Sequence, residues 1–410
     1  MDIDLLAALR TPEGERALAT AAVLAGGDPL VAAATLRSTG VPADLAAGAL
    51  TQAELRRRAA AKFGPTAAAM FFTRAGLEQA TRAVVADRRA ARLRAAGVHT
   101  LADLGCGLGA DALAAARAGI RVYGVEADPL TAAMAAANAE AAGVADRFTV
   151  ECGDATAFDV TQVDAVFCDP ARRRAGTGRR IFDPAAYSPS WDFITALVDR
   201  VPRTALKVAP GIEHGLIPPG AEAEWVSVDG DLVEATLWCG PLAETPRRAT
   251  LLSGKEGPLL IASAGGRGPF HQLTGTGTVD APVGSVGRYL YDPDAAIVRA
   301  HLVAEFADTV HGELADPKIA YVFADRAEPT PYARCLEITD VLPFSLKRLR
   351  ALLRERAIGR VEILKRGSAL DPEQLRRDLR LSGTGSATIV LTRLADAPTV
   401  LLCQPVPESR

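Results

Sequence analysis

Asp103-Leu104-Gly105-Cys106-Gly107-Leu108-Gly109-Ala110-Asp111 is the stretch whose reading decides the fold. It follows a short apolar run at 100–104 and opens a segment with helical spacing. Glycines at a strand-to-helix turn let the backbone reverse tightly and approach a ligand. The helix beyond adds its unpaired N-terminal amides to the same place. Gly105, Gly107 and Ala110 also satisfy the G-x-G-x-x-G/A pattern of dinucleotide-binding folds, so the loop by itself leaves the ligand open.

Three features downstream and upstream narrow the choice. Asp103 stands two residues before the first glycine, where a carboxylate repels a pyrophosphate but suits an ammonium. Tyr123-Gly124-Val125-Glu126 ends the next strand, 21 residues after Gly105, and an acid there can accept from both hydroxyls of a ribose. NAD-binding folds share that feature. Cys152-Gly153-Asp154-Ala155 closes a third strand and Cys168-Asp169-Pro170 a fourth. A carboxylate after strand three can accept from an adenine amino group. The bland alternative is a structural turn with solvated strand-end acids, and four motifs in order weigh against it.

Working outward, residues 1–96 read as helices, with apolar residues three and four apart and Gly or Pro at 26–29, 40–42 and 64–65. One long helix is expected from an N-cap at Thr73 to Ala96, with Gly97 just beyond its end. Strands are expected at 100–104, 120–125, 147–151, 163–168 and 204–209, separated by helical stretches that suit a parallel α/β sheet. Runs at 223–228, 232–239 and 247–252 leave no room for a helix and suggest an antiparallel edge hairpin. Residues 253–317 are expected as a linker or extended connection; its part rich in Gly, Ser and Thr, 253–285, reads as a linker or as an extended, strand-containing stretch. A small α+β module is expected over 318–410, with strands at 319–323, 361–364, 387–392 and 398–403 and helices near 345–357 and 371–380. The resulting class is α/β: a Rossmann-like sheet over 97–252, a helical region over 1–96, and the C-terminal module.

These motifs resemble the class I S-adenosylmethionine (SAM)-dependent methyltransferases across roughly residues 97–252. Carried over residue by residue, the resemblance implies Asp103, Gly105, Cys106, Gly107 and Gly109 around the methionyl end of SAM, Glu126 at the ribose, and Asp154 with Ala155 at the adenine. Ligands of such sheets sit beyond the carboxyl ends of the strands. Asp169-Pro170-Ala171-Arg172 lies there and resembles the Asp/Asn-Pro-Pro-aromatic motif of methyltransferases acting on amino groups of nucleobases. In that motif the acid or amide oxygen and the proline carbonyl accept from the amine, while the ring stacks on the base. Asp169, Pro170 and Arg172 are therefore the candidate catalytic residues. Ala171 replaces a proline and Arg172 replaces the ring; a guanidinium can stack on a base or pair with a phosphate. Such chemistry requires no metal.

Arg172-Arg173-Arg174 and Arg179-Arg180 put five cations within nine residues, a solvated turn or a phosphate clamp. Tyr187 and Trp191 follow, either as packing in the crossover or as stacking platforms. Met70-Phe71-Phe72 reads as core, with a lid over the cofactor as the alternative. Between Phe344 and Arg366 eight basic residues (Lys347, Arg348, Arg350, Arg354, Arg356, Arg360, Lys365, Arg366) face only Glu355 and Glu362, a local +6 within a chain of net charge −3. Leu364-Lys365-Arg366-Gly367 through Leu381-Ser382-Gly383 and the two apolar strands after it resemble the THUMP-like domain of bacterial methyltransferase-like proteins. THUMP domains bind structured RNA, so the resemblance implies RNA as partner through the Arg172–Arg180 loop and the 344–366 segment.

The totals agree with a cytoplasmic enzyme of two or three domains. At 49% hydrophobic and 23% charged residues the chain can bury a sizeable core. The six cysteines are scattered with no C-x-x-C pair, which argues against a zinc site or disulfide framework. No basic n-region opens the chain, and Gly26-Gly27-Asp28-Pro29 interrupts its most apolar early stretch, so no membrane association is expected. An RNA-base methyltransferase is the expected activity; a small-molecule methyltransferase and a catalytically silent binding protein of the same fold stand as alternatives.

Overall fold

The computed structural model describes residues 1–172, 187–254 and 270–406, with Ala171 and Arg172 described by their backbone alone. The chain forms two compact units. One holds Met1–Ala223, Glu234–Glu244 and Leu252–Phe270; the other holds Glu224–Val233, Thr245–Leu251 and His271–Arg410.

The first unit opens with helices α1 (Ile3–Leu9), α2 (Pro12–Leu24), α3 (Pro29–Ser38) and α4 (Ala43–Phe63). Thr11 and Asp28 cap α2 and α3, each followed by a proline whose missing N–H costs nothing at the first helical position. The expected single helix over 73–96 is two: α5 (Arg74–Gln79) and α6 (Ala83–Ala95). Thr73 caps the first as expected, but Ala80 and Arg82 are extended. The physical reason lies in side chains. Lys62 gives its ammonium protons to the carbonyls of Leu77, Glu78 and Ala80 at 2.8–2.9 Å, and Thr81 turns inward to Asp111. The change of texture at 96/97 is thus a change of secondary structure within one compact unit.

The sheet then follows: β1 (Thr100–Leu104), α7 (Ala110–Arg117), β2 (Arg121–Glu126), α8 (Pro129–Ala141), β3 (Phe148–Cys152), β4 (Ala165–Cys168), the short pair β5 (Ala171–Arg172) and β6 (Tyr187–Ser188), α9 (Trp191–Arg200) and β7 (Thr204–Val208). Two further strands are β8 (Glu222–Val228) and β9 (Asp231–Trp238). Within this unit the order is β9-β7-β4-β1-β2-β3. β1 pairs in parallel with both β2 and β4, β4 in parallel with β7, and β9 runs antiparallel to β7. The chain moves outward from β1 to β2 and β3, then returns across β1 to β4. That reversal opens the crevice in which ligands of such sheets bind.

In the second unit β8 lies beside β10 (Arg247–Leu252), and β10 beside β11 (Phe270–Gly275). A seven-stranded sheet follows, built from β12 (Tyr289–Pro293), β13 (Glu313–Leu314), β14 (Val322–Ala324), β15 (Ala333–Pro343), β16 (Ile358–Lys365), β17 (Gly385–Leu394) and β18 (Ala397–Pro405). Helices α10 (Ala295–Arg299), α11 (Val303–Thr309), α12 (Leu346–Glu355) and α13 (Pro372–Leu379) intervene. Alternation along β17 and β18 divides the core. Ile389, Leu391, Val400 and Leu402 pack with Leu349, Leu353, Leu375 and Leu379 of α12 and α13, whereas Val390, Leu401 and Cys403 pack with Leu290, Tyr321 and Phe323.

The expected connection over 253–317 therefore needs correcting. β11, β12, α10, α11 and β13 lie in it, and Leu290, Tyr291, Ile297, Leu302 and Phe306 are fully buried. These elements are each seven residues or shorter, too short for a helical or strand period to show in the sequence. β15 also escapes the sequence reading, because Leu336 is the only buried residue in its alternating run. Among the described residues no helix is long and apolar enough to cross a membrane.

Candidate active site

The glycine loop sits at the chain reversal between β1 and β4. Gly105, Gly107 and Gly109 all adopt positive φ (+88°, +56° and +85°), a region that side chains avoid. A Cβ on Gly105 would stand 2.9 Å from the carbonyl oxygen of Asp169, and one on Gly109 would stand 2.9 Å from the Phe148 ring. The loop therefore lies directly against the end of β4. The Gly107 amide donates to Glu126 Oε2 at 3.0 Å, and the Asp128 amide to Oε1 at 2.9 Å, so β2 presents its carboxylate beside the loop. Cys106 is buried there; burial, with Asp103 and Glu126 close by, pushes its thiol well up. Asp154 is exposed and caps the turn that Ala155 begins, accepting from the Thr156 amide and hydroxyl through Oδ1; those bonds hold its carboxyl below the usual range.

Beneath the loop lies an interior that the sequence reading missed. Asp103 is 1% exposed, and neither of its oxygens has a hydrogen-bond partner among the described residues. Burial, then Asp111 and Asp169, raises its carboxyl well above the ordinary range. Asp111, in the first turn of α7, is bonded to Arg89 of α6 and to the Thr81 hydroxyl (2.7 Å). Arg89 also bonds Glu234 of β9 and stacks over the Phe167 ring. Burial pulls that guanidinium down, but Asp111, Glu234 and Asp169 outweigh it and hold it protonated above its usual value. Lys207 of β7 pairs with Asp169 at 2.7 Å.

Four carboxylates (Asp103, Asp111, Asp169, Glu234) thus share this interior with two directly bonded cations, Arg89 and Lys207. Such a site favours a cationic ligand, because each added positive charge relieves buried repulsion. A methionyl sulfonium carries two positive groups, an ammonium and the sulfonium, and the orphaned Asp103 is a carboxylate of the kind an ammonium would satisfy.

At the acceptor edge Asp169 Oδ2 is taken by Lys207, whereas Oδ1 takes no hydrogen bond among the described residues. Its side chain is 35% exposed. Pro170 is buried, and Arg172 pairs through its backbone with Tyr187. The Arg172 side chain and Arg173–Arg180 lie outside the described residues. Tyr187 and Trp191 contact each other, with ring centroids 5.8 Å apart. Met70, Phe71 and Phe72 are core; Asn138 holds the backbone of Phe71 and Gln52 that of Phe72, and Arg56 donates to the Met70 carbonyl. Asn138 also donates to the Leu108 carbonyl of the glycine loop, at 3.0 Å.

Thr81, Arg89, Lys207 and Glu234 line this interior, and motif reading passed over them. A weak signal was present: Arg89 and Arg92 are three apart in an otherwise apolar helical face. Arg92 is likewise buried, bidentate to Glu222 at 2.6 and 2.8 Å and stacked over Trp238.

Comparison with known proteins bears on this geometry. The family described as "Methyltransferase domain" matches residues 101–173, "THUMP domain-like" matches 333–405, and a domain of unknown function matches 2–59. A crystal structure of a methyltransferase from Porphyromonas gingivalis W83 shares the fold at 22% identity, with TM-score 0.74, covering 96% of this chain and 99% of that one. An uncharacterized S-adenosylmethionine-dependent methyltransferase of Mycobacterium tuberculosis, found in strains CDC 1551 and H37Rv, is 35% identical over 367 residues. That match spans 86% of this chain and 95% of the relative. A shared architecture alone would leave the methyl donor open, but likeness at this level over nearly the whole length does not: the chain belongs to the SAM-dependent methyltransferases, and SAM is its cofactor.

Proposed function

We propose that this enzyme methylates a base in RNA. The observation that carries the reading is the C-terminal module, which matches a THUMP domain-like family over 333–405 and bears exposed cations on α12. Asp103, Gly105, Cys106, Gly107 and Gly109 hold the methionyl end of the cofactor, Glu126 the ribose, and Asp154 with Ala155 the adenine. When bound, SAM supplies an electrophilic methyl group on a sulfonium. The chain's own residues align the acceptor with that methyl group. Asp169 Oδ1 and the Pro170 carbonyl accept from the acceptor's N–H groups, which orients the nitrogen lone pair and gives the departing proton a path. Arg172 and the arginines to Arg180 bind flanking phosphates, and the exposed cations of α12 add sequence-independent phosphate contacts.

Transfer of tritiated methyl from SAM into fractionated cellular RNA tests the proposal. Label in an RNA fraction, lost when Asp169 is replaced by Ala, is the expected result. Label that appears only in small molecules would overturn it.

A further inference from the structure

We propose that Lys207 is a positioning residue for methyl transfer: anchored by Thr81, it holds the Asp169 carboxylate at a set distance from the glycine loop. The inference rests on the reading of Asp169 as the carboxylate that faces the acceptor.

Four side chains form an unbroken run of three hydrogen bonds from the donor side of the site to the acceptor side. The Thr81 hydroxyl donates to Asp111 Oδ2 at 2.7 Å, Lys207 Nζ donates to Thr81 Oγ1 at 2.9 Å, and the same ammonium donates to Asp169 Oδ2 at 2.7 Å. Asp111 sits in the first turn of α7, the helix that the glycine loop opens. Asp169 follows β4, and its carbonyl touches Gly105. The register of the sheet brings these ends together. Cys168 pairs with Leu206, which puts Asp169 beside Lys207, and Leu104 pairs with Cys168, which puts Gly105 beside Asp169.

The division of labour on the carboxylate is specific. Lys207 occupies Oδ2, and Oδ1 takes no hydrogen bond among the described residues. A carboxylate on a short side chain rotates about two bonds, and one oxygen pinned by a largely buried ammonium stops that rotation. Alignment with an electrophilic methyl is sensitive to displacements of this kind, since a misplacement of about 1 Å can cost a hundredfold in rate. Lys207 does not act as the base. Burial presses its ammonium toward neutrality, but Asp169, Glu234 and Asp111 outweigh burial and the opposing charge of Arg89, and keep it protonated. Its partner Thr81 comes from the break between α5 and α6, which Lys62 holds open through three carbonyls. The interrupted helix thereby serves the reaction: a continuous one would carry Thr81 in a helical backbone and lose this anchor.

The test uses full-length Lys207→Met, Lys207→Arg and Thr81→Val proteins, with tritiated SAM and total cellular RNA for turnover and S-adenosylhomocysteine calorimetry for the donor site. Lys207→Met should lose about a hundredfold in turnover while S-adenosylhomocysteine affinity stays within about twofold. Lys207→Arg should recover about tenfold of that loss, because the charge and one donor survive. Thr81→Val should cost less, and little more when combined with Lys207→Met, as expected for two residues on one anchor. Near-normal turnover by Lys207→Met overturns the proposal. So does an equal loss in the Met and Arg variants accompanied by an equal loss of S-adenosylhomocysteine affinity. If Lys207→Met does not fold, Thr81→Val decides, and unchanged turnover overturns the proposal. If the wild-type protein labels no RNA, the RNA reading falls by itself. Crystal structures of wild type and Lys207→Met with S-adenosylhomocysteine then settle Lys207: an Asp169 carboxylate turned away in the variant supports its role, and an unmoved one overturns it.

Discussion

The two units use charge in opposite ways. The methyltransferase unit buries it: Arg89 is 3% exposed and Asp103 1%, and all but one of the carboxylates around them are bonded to side chains from other elements. The C-terminal module spreads charge over the surface of α12 and β16, and half of it is already committed. Arg350 donates to the Asp378 carbonyl, Arg356 pairs with Asp340, Lys365 donates to the Leu370 carbonyl, and Arg366 pairs with Asp292. Lys347, Arg348, Arg354 and Arg360 remain exposed. A buried carboxyl that lacks a partner signals a ligand, because without one it must hold a proton to escape the cost of desolvation. Surface charge signals one only after the pairs that serve the fold have been subtracted.

The largest effect should come from breaking the buried side of this contrast. Arg89→Met leaves Asp111 and Glu234 in the interior without their shared guanidinium, and loss of one member of a buried ion network costs about 3–5 kcal/mol. Chemical denaturation of both proteins measures it. A loss below about 1 kcal/mol would place this network in the class of surface pairs. Next in size is Asp169→Ala. Turnover should fall by about a hundredfold with SAM affinity nearly unchanged, the pattern for a group that acts mainly in the transition state. Methyl transfer set against calorimetry separates the two quantities, and normal turnover would make Asp169 structural.

Asp103 sharpens the comparison through pH. Its carboxyl is raised in the folded protein by burial and by Asp111 and Asp169, while Arg89 and Lys207 oppose the rise. The folded state therefore keeps a proton that the unfolded chain has released above about pH 4. With more protons bound folded than unfolded, stability falls as pH rises from that point toward the raised value. Asp103→Asn removes this contribution. Its melting temperature should gain on wild type steadily between pH 5 and pH 8, while its SAM affinity drops for want of a partner for the ammonium. Parallel melting curves at every pH would mean that Asp103 has a partner in solution.

The parts of this molecule that were legible in the sequence are those in which chemistry and backbone geometry coincide. The glycine loop needs positive φ at three positions, and the strand-end acids follow apolar runs whose length marks each strand. The family, the sheet and helices α12 and α13 follow from such local patterns. The Lys207–Thr81–Asp111 run was not legible, because its members are separated by 126 and 30 residues and meet only through sheet register and a helix break. Arg89 and Arg92 were masked by their type, since an arginine-rich helix ordinarily reads as a solvated face. The elements described within 253–317 were hidden differently: none exceeds seven residues, too short a run for either period to show.

The smallest effect per residue is expected on α12, where it tests whether the uncommitted charge meets RNA. Lys347 and Arg354 lie seven residues apart and share a helical face, and Arg348 borders it; Leu349 and Leu353 turn the opposite way into the core. Arg350 is excluded from that set, because its guanidinium holds the end of α13 through the Asp378 carbonyl. Phosphate contacts release counterions, so each cation that meets RNA adds about 0.7–0.9 to the slope of log affinity against log salt. Replacing Lys347, Arg348 and Arg354 by Glu should therefore flatten that slope by about two units, measured by fluorescence anisotropy with cellular RNA over a salt series. SAM binding should not change. Arg350→Gln should instead leave the slope intact and lower the melting temperature, as the loss of one hydrogen-bonded cation costs about 1 kcal/mol. An equal slope in wild type and the triple variant would return α12 to the class of solvated helices and leave the RNA to be held elsewhere.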